Sequence, residues 1–151
     1  MPSALYSAPV GAAVGLVGAT AKTVVTAITP AQFGAVLEEL HLGFDGVTAT
    51  DKAVVVEIVA FTADGTGTGG TIAQVRGRSI TAGFTTKYNY SVEPTGATVY
   101  DRWSLTPIGG TVVYKWGADG YDIGVSAVIG VRLTAPTSAV NANATLFVSR
   151  C

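Results

Sequence analysis

Residues 54–71, VVVEIVAFTADGTGTGGT, decide between two kinds of protein. An apolar strand runs into Gly65, Gly67 and Gly70, which have the G-x-G-x-x-G spacing of a dinucleotide-binding turn. That turn works only where the glycines open a helix whose N-terminal amides hold a pyrophosphate, with an acidic residue about 20 positions further on. The next residues, TIAQVRGRSITAG, are rich in β-branched side chains, with two further glycines and no capping signal. Glu93 lies near the required distance but inside a Tyr-rich β segment. The glycines are therefore expected to form a hairpin loop between two strands, and the chain is expected to be all-β.

Period-two alternation extends that reading in both directions. Val24, Thr26 and Ile28 share a face; Leu40, Leu42 and Phe44 oppose Glu39, His41 and Asp45; Val54, Val56 and Ile58 oppose Val55, Glu57 and Val59. Tyr88, Tyr90 and Val92 alternate with Lys87, Asn89 and Ser91, and Trp103 and Leu105 with Arg102 and Ser104. The same holds for Val112, Tyr114 and Trp116, for Ile129, Val131 and Leu133, and for Leu146 and Val148 against Thr145 and Phe147. Turn signals such as FDGVTATD, EPTGA, TPIGG and GADGYD separate these runs by roughly ten residues, the pattern of a single antiparallel β-sandwich or barrel over residues 21–151. TPAQFGAVLEELHLG could start a helix at Thr29, but Gly34 reduces it to a turn. Residues 1–20, rich in Gly, Ala and Pro, read as an extended N-terminal arm packed on its own domain or on a neighbour. They imitate a signal peptide ending in Ala19-Thr20-Ala21 but carry no Lys or Arg before the apolar part.

Charged residues make up 13% of the chain and the formal net charge is −1, which leaves no electrostatic footprint for nucleic acid or an anionic membrane. Such a surface is covered by Thr, Ser, Asn and Gly, or by other subunits. Cys151 is the only cysteine, so an intrachain disulfide and a thiolate metal cluster are both excluded.

Nothing assembles into a catalytic group. Glu38 and Glu39 are adjacent, so in a regular strand they point to opposite faces and cannot act on one bond. His41 is the only histidine, and Glu57 on the following strand is its one candidate partner if the two share a sheet face. Asp119 and Asp122 suggest a calcium loop without its full ligand pattern, and Arg76 and Arg78 read as a solvated strand end. The aromatics Tyr88, Tyr90, Tyr100, Trp103, Tyr114, Trp116 and Tyr121 are either core or a stacking platform, with Trp103 and Trp116 in register with core positions. We therefore expect no catalytic residue, cofactor-binding residue or metal ligand, and no enzyme.

Three stretches carry a resemblance: GLVGATAKTVVTAITPA, LEELHLGFDGVTATDKAVVVEIVAFTADGT and AVIGVRLTAPTSAVNANATLFVSR. They resemble small β-sandwich virion proteins of tailed bacteriophages. The resemblance implies a jelly-roll-like, homotrimeric decoration (cement) protein, made in the host cytoplasm and carried on the outer capsid surface. There it would bridge neighbouring subunits of the major capsid protein. The alternative reading is a carbohydrate- or receptor-binding module of a tail fibre that uses Trp103, Trp116 or the tyrosines.

Overall fold

The computed structural model describes residues 4–46, 53–108, 110–136 and 140–150. Two antiparallel sheets pack face to face, and their principal strands are nested. In sheet A, β1 (Leu5–Pro9) pairs with β13 (Val140–Arg150) and β4 (Ala35–Phe44) pairs with β10 (Gly110–Lys115). In sheet B, β3 (Ala21–Ile28) pairs with β12 (Val128–Thr134) and β5 (Val54–Phe61) pairs with β9 (Thr98–Leu105). The resulting orders, β10-β4-β13-β1 and β3-β12-β5-β9, are those of a jelly roll. The remaining strands are additions. β2 (Val14–Leu16) lies beside β13 and β11 (Tyr121–Ile123) beside β4. β6 (Thr66–Gly69), β7 (Ala73–Arg76) and β8 (Thr85–Val92) fill the connection from β5 to β9.

Alternation explains the core. Leu40, Leu42, Leu146 and Val148 face inward from sheet A and meet Val54, Val56, Ile58, Ile129, Val131 and Leu133 from sheet B, all buried. Each such side chain contributes about 1.5–3 kcal/mol by leaving water.

The N-terminal segment is part of this core, not an arm. Tyr6, Ala8, Val14 and Leu16 are at most 2% exposed, and β1 sits between β13 and β7. β1 and β2 form one interrupted strand along β13: Pro9 faces Thr145 and Val14 faces Ala142, with Val10 donating its N–H to Ala144 at 3.0 Å across the break. Of the small residues, Ala4 and Ala8 are buried against neighbouring strands, whereas Gly11 to Ala13 lie exposed in the break.

The glycine run also departs from expectation. It is not a hairpin loop, because β5 is already flanked by β12 and β9; β6 pairs with β8 at the far edge of sheet B. Gly65 is required by contact, as a Cβ there would come within 2.0 Å of the Val92 carbonyl oxygen. Pro30–Gly34 form no helix; the Thr29 hydroxyl instead donates to Gly124 O at 2.5 Å.

Irregularities shift the alternation locally. The β4–β13 ladder skips Glu38, so Leu37 and Leu40, three apart, both face the core. Asn89 takes the left-handed conformation (φ 51°), which puts Lys87 and Tyr90 on one side of β8, not Tyr88 and Tyr90.

Candidate functional site

The outward face of sheet B is covered by the chain itself. Val59, Gly130, Thr26 and Lys87 form one cross-strand row, and Glu57, Arg132 and Thr23 another. Residues 62–65 and 93–97 pair with each other through Thr95, whose N–H donates to Ala63 O at 3.0 Å, and both segments are tied to this face. Asp64 accepts from the Tyr90 hydroxyl (2.9 Å) and from Lys87 Nζ (2.5 Å), while Tyr90 also shares a 2.6 Å bond with Thr26. Burial pushes the Asp64 carboxyl up, but the bonds from Lys87, Tyr90 and the Gly65 N–H outweigh it and hold it below its ordinary value. Burial raises the Tyr90 phenol well above its ordinary range. Glu93 accepts the Thr23 N–H at 3.0 Å and the Thr23 hydroxyl. Beneath this cover Val59, Phe61 and Val128 form a small second apolar cluster, and Arg132 Nε donates to Glu57 at 3.0 Å.

The outward face of sheet A is bare. Cross-strand registers place its residues in rows: Thr111, Gly43 and Asn143; Val113, His41, Thr145 and Pro9; Lys115, Glu39, Phe147 and Ser7. His41 stands at the centre, its side chain 37% exposed. Its Nε2 is 2.6 Å from Glu39 Oε1 and its ring 4.6 Å from that of Phe147, while Lys115 Nζ approaches Glu39 at 3.9 Å. Gly43 leaves a shallow depression of about 330 Å³ lined by His41, Thr111, Asn143, Thr145 and Pro9. At the rim, Asp45 accepts the Asn141 N–H (2.8 Å) and Nδ2–H (2.7 Å), and these bonds lower its carboxyl. The face offers hydroxyls, amides, one imidazole and the Glu39–Lys115 pair, which suits a broad polar contact.

His41 and Glu57 do not meet, because β4 and β5 belong to different sheets and the two side chains point outward on opposite sides. The Glu38 bulge removes the reason for separating Glu38 from Glu39, yet they take different partners: Glu38, 7% exposed, lies 3.6 Å from Arg76, and Glu39 turns to His41. Glu38 is thus in mid-strand, not at a solvated strand entry, whereas Arg76 ends β7 with its side chain 55% exposed and Arg78 is exposed beyond it, as a solvated strand end requires. Asp119 lies in a 3₁₀ turn (Gly117–Asp119) and Asp122 on β11, both exposed. Among the described residues no three His, Cys, Asp or Glu side chains converge on a metal position. Cys151 falls outside the described residues.

The aromatics bridge the sandwich where β9 of one sheet lies against β10 and β11 of the other. Tyr100, Tyr121, Trp116, Tyr114 and Trp103 form a continuous series of ring contacts, with centroids 6.0, 5.0, 6.3 and 4.5 Å apart. The inner four are half-buried and Tyr100 is 49% exposed. Burial raises the Tyr114 phenol, against the pull of the neighbouring Trp103 indole, but that Nε1–H has no hydrogen bond of proper geometry among the described residues. The Tyr121 phenol donates to Asp101 at 3.0 Å and is pushed up to about 12 by burial and by that carboxylate.

Sequence reasoning missed the bare face as a unit. Its signal was present in VNANATLFVSR, where Asn141, Asn143, Thr145 and Phe147 oppose Ala142, Ala144, Leu146 and Val148. No protein-family model matches the chain, and no curated protein has a significantly similar sequence.

Proposed function

We propose that this chain is a non-enzymatic structural protein of a tailed-phage virion, which decorates the outer surface of an icosahedral capsid and bridges neighbouring subunits of the major capsid protein. The phage assignment rests on the resemblance of residues 15–31, 37–66 and 127–150 to small virion sandwich proteins. The observation that carries the docking surface is the unequal treatment of the two outward faces: the chain covers sheet B with residues 62–65 and 93–97 and leaves sheet A open around His41. The part of this face around Gly43, with Thr111, Asn143 and Thr145, carries no charge, which suits an interface because interface cores are depleted of charged residues. Capsid symmetry then lets many modest contacts act together.

The test is co-sedimentation with empty capsids of the phage that encodes the protein. Saturable binding is expected, and Asn143→Arg, an exposed change on the bare face, should abolish it without altering the melting temperature. Equal binding by the variant would put the docking surface elsewhere. One observation favours the alternative of a sugar- or receptor-binding module: Tyr100 is 49% exposed and lies nearly parallel to Tyr121. A protein that ignores capsids but whose Trp fluorescence is quenched by a sugar would support that reading.

A further inference from the structure

The strands that bound the sheets are β6 and β9 in sheet B and β7 and β10 in sheet A, together with β2 and β11, which have three residues each. An unpaired edge invites another strand unless it is short, bulged or charged. β6 and β7 have four residues each, and β7 also slips register against β1. β9 is longer but carries a bulge at Tyr100 followed by Asp101 and Arg102. β10 lacks these defences. It runs in regular register over six residues, without proline or bulge, and its one charge, Lys115, is at the end. Val112 and Val113 are 37% and 51% exposed.

The hydrogen-bond phase of this edge is set by Trp116, whose N–H donates to Glu38 O at 2.8 Å. Amides in an antiparallel strand alternate sides, so those of Tyr114 and Val112 also face β4, and Thr111, Val113 and Lys115 present theirs outward. We propose that a second copy of this chain adds its own β10 antiparallel to this one, about a two-fold axis through Val113. In that register Val113 faces the partner's Val113, and Thr111 faces the partner's Lys115. All three outward-facing residues of each strand then form hydrogen-bonded pairs.

Side chains complement each other in the same register. Val112 points inward yet is exposed because the sheet ends beside it; the partner's Tyr114 covers it, a favourable aromatic and β-branched pair. Gly110 faces the partner's Trp116, an aromatic over the gap that a glycine leaves at an edge. Lys115 meets a neutral hydroxyl. The same operation on β9 fails, since the registers that use nearly all of its length set Asp101 against the partner's Asp101 or Arg102 against the partner's Arg102. This self-complementarity singles out a second copy as the occupant. A two-fold axis perpendicular to the sheet leaves both bare faces pointing the same way, as one surface of doubled width. The pairing is two-fold, in contrast to the three-fold assembly that the resemblance implies, and does not depend on the capsid reading.

Sedimentation equilibrium of the full chain over a range of concentrations tests it. The native protein should be a dimer that dissociates on dilution. Val113→Lys and Val113→Asp each set like charges opposite one another on the axis and should raise the dissociation constant by about tenfold or more. Because Val113 is exposed, both variants should keep the native circular dichroism spectrum. An equimolar mixture of the two should regain dimers, since Lys then faces Asp. The proposal is overturned by a native protein that stays monomeric at high concentration, or by an oligomer of any size indifferent to both variants. Dissociation of both without recovery on mixing would likewise exclude an axis at Val113.

Discussion

Glu57 and Glu39 occupy matching places, each on the outward side of a long strand flanked on both sides by other strands. Glu57 is 8% exposed beneath the crossing segments, whereas Glu39 is 17% exposed on a face that no other described segment crosses. The difference does not arise in the strands, whose alternation is alike. It arises in the connection from β5 to β9, which sends residues 62–65 and 93–97 against sheet B before the jelly roll resumes. Among the described residues, sheet A receives no such insertion on its outward side. One sheet is therefore finished internally, and the other keeps a surface for something else to finish.

The largest expected effect breaks the comparison altogether. Removing Met1–Leu16 takes out the strand between β13 and β7, together with Tyr6, Ala8, Val14 and Leu16 from the core. Circular dichroism should then show no cooperative thermal transition; a melting curve close to the native one would mean that the segment is an appendage after all.

The matched acids sharpen the comparison. Glu57→Ala leaves Arg132 without its 3.0 Å partner on a covered face, and should cost about 2 kcal/mol in urea unfolding. That is less than a fully buried pair would lose, because Arg132 retains 23% exposure. Glu39→Ala, on the open face, should cost under about 1 kcal/mol. Equal losses would show that the two faces are equally solvated.

The smallest effect concerns acid. The bonds that lower the Asp64 carboxyl stabilise its ionised form in the folded state. A depressed folded value means that the stabilisation is complete above the unfolded value, about 4, and is lost as pH falls through the folded one. Urea midpoints measured from pH 5 downward should decline, and Asp64→Asn should flatten part of that decline. An unchanged slope would mean that the crossing segment contributes nothing through this group.

The parts of the fold legible in the sequence are those where alternation runs unbroken. Leu40-Leu42-Phe44, Val54-Val56-Ile58 and Ile129-Val131-Leu133 all face the core as their period predicts. Pairing was harder to see, because consecutive strands such as β4 and β5 lie in different sheets and take partners from the far half of the chain. His41 and Glu57 look like cross-strand neighbours only if the strands are paired in order. β1 was hidden by its own packing: Ala4 and Ala8 are buried against neighbouring strands, and small residues in close contact look like a flexible segment. Glu38 and Asn89 each shift the period by one; asparagine tolerates the left-handed conformation that Asn89 adopts, but glutamate has no corresponding preference for a bulge. Leu37 and Leu40, three apart in an otherwise alternating run, were the one legible trace of a bulge.

The nested pairing also sets an order of events during synthesis. β1 is made long before its main partner, β13, in residues 140–150, and β3 and β4 likewise precede β12 and β10. Translation at about 5–20 residues per second leaves these early strands without their neighbours for several seconds. Non-local pairing of this kind also folds slowly once the chain is complete. Pairing of the early strands therefore waits until Val140–Arg150 has been made, and a nascent chain with Leu5–Pro9 still unpaired exposes open strand edges in the meantime.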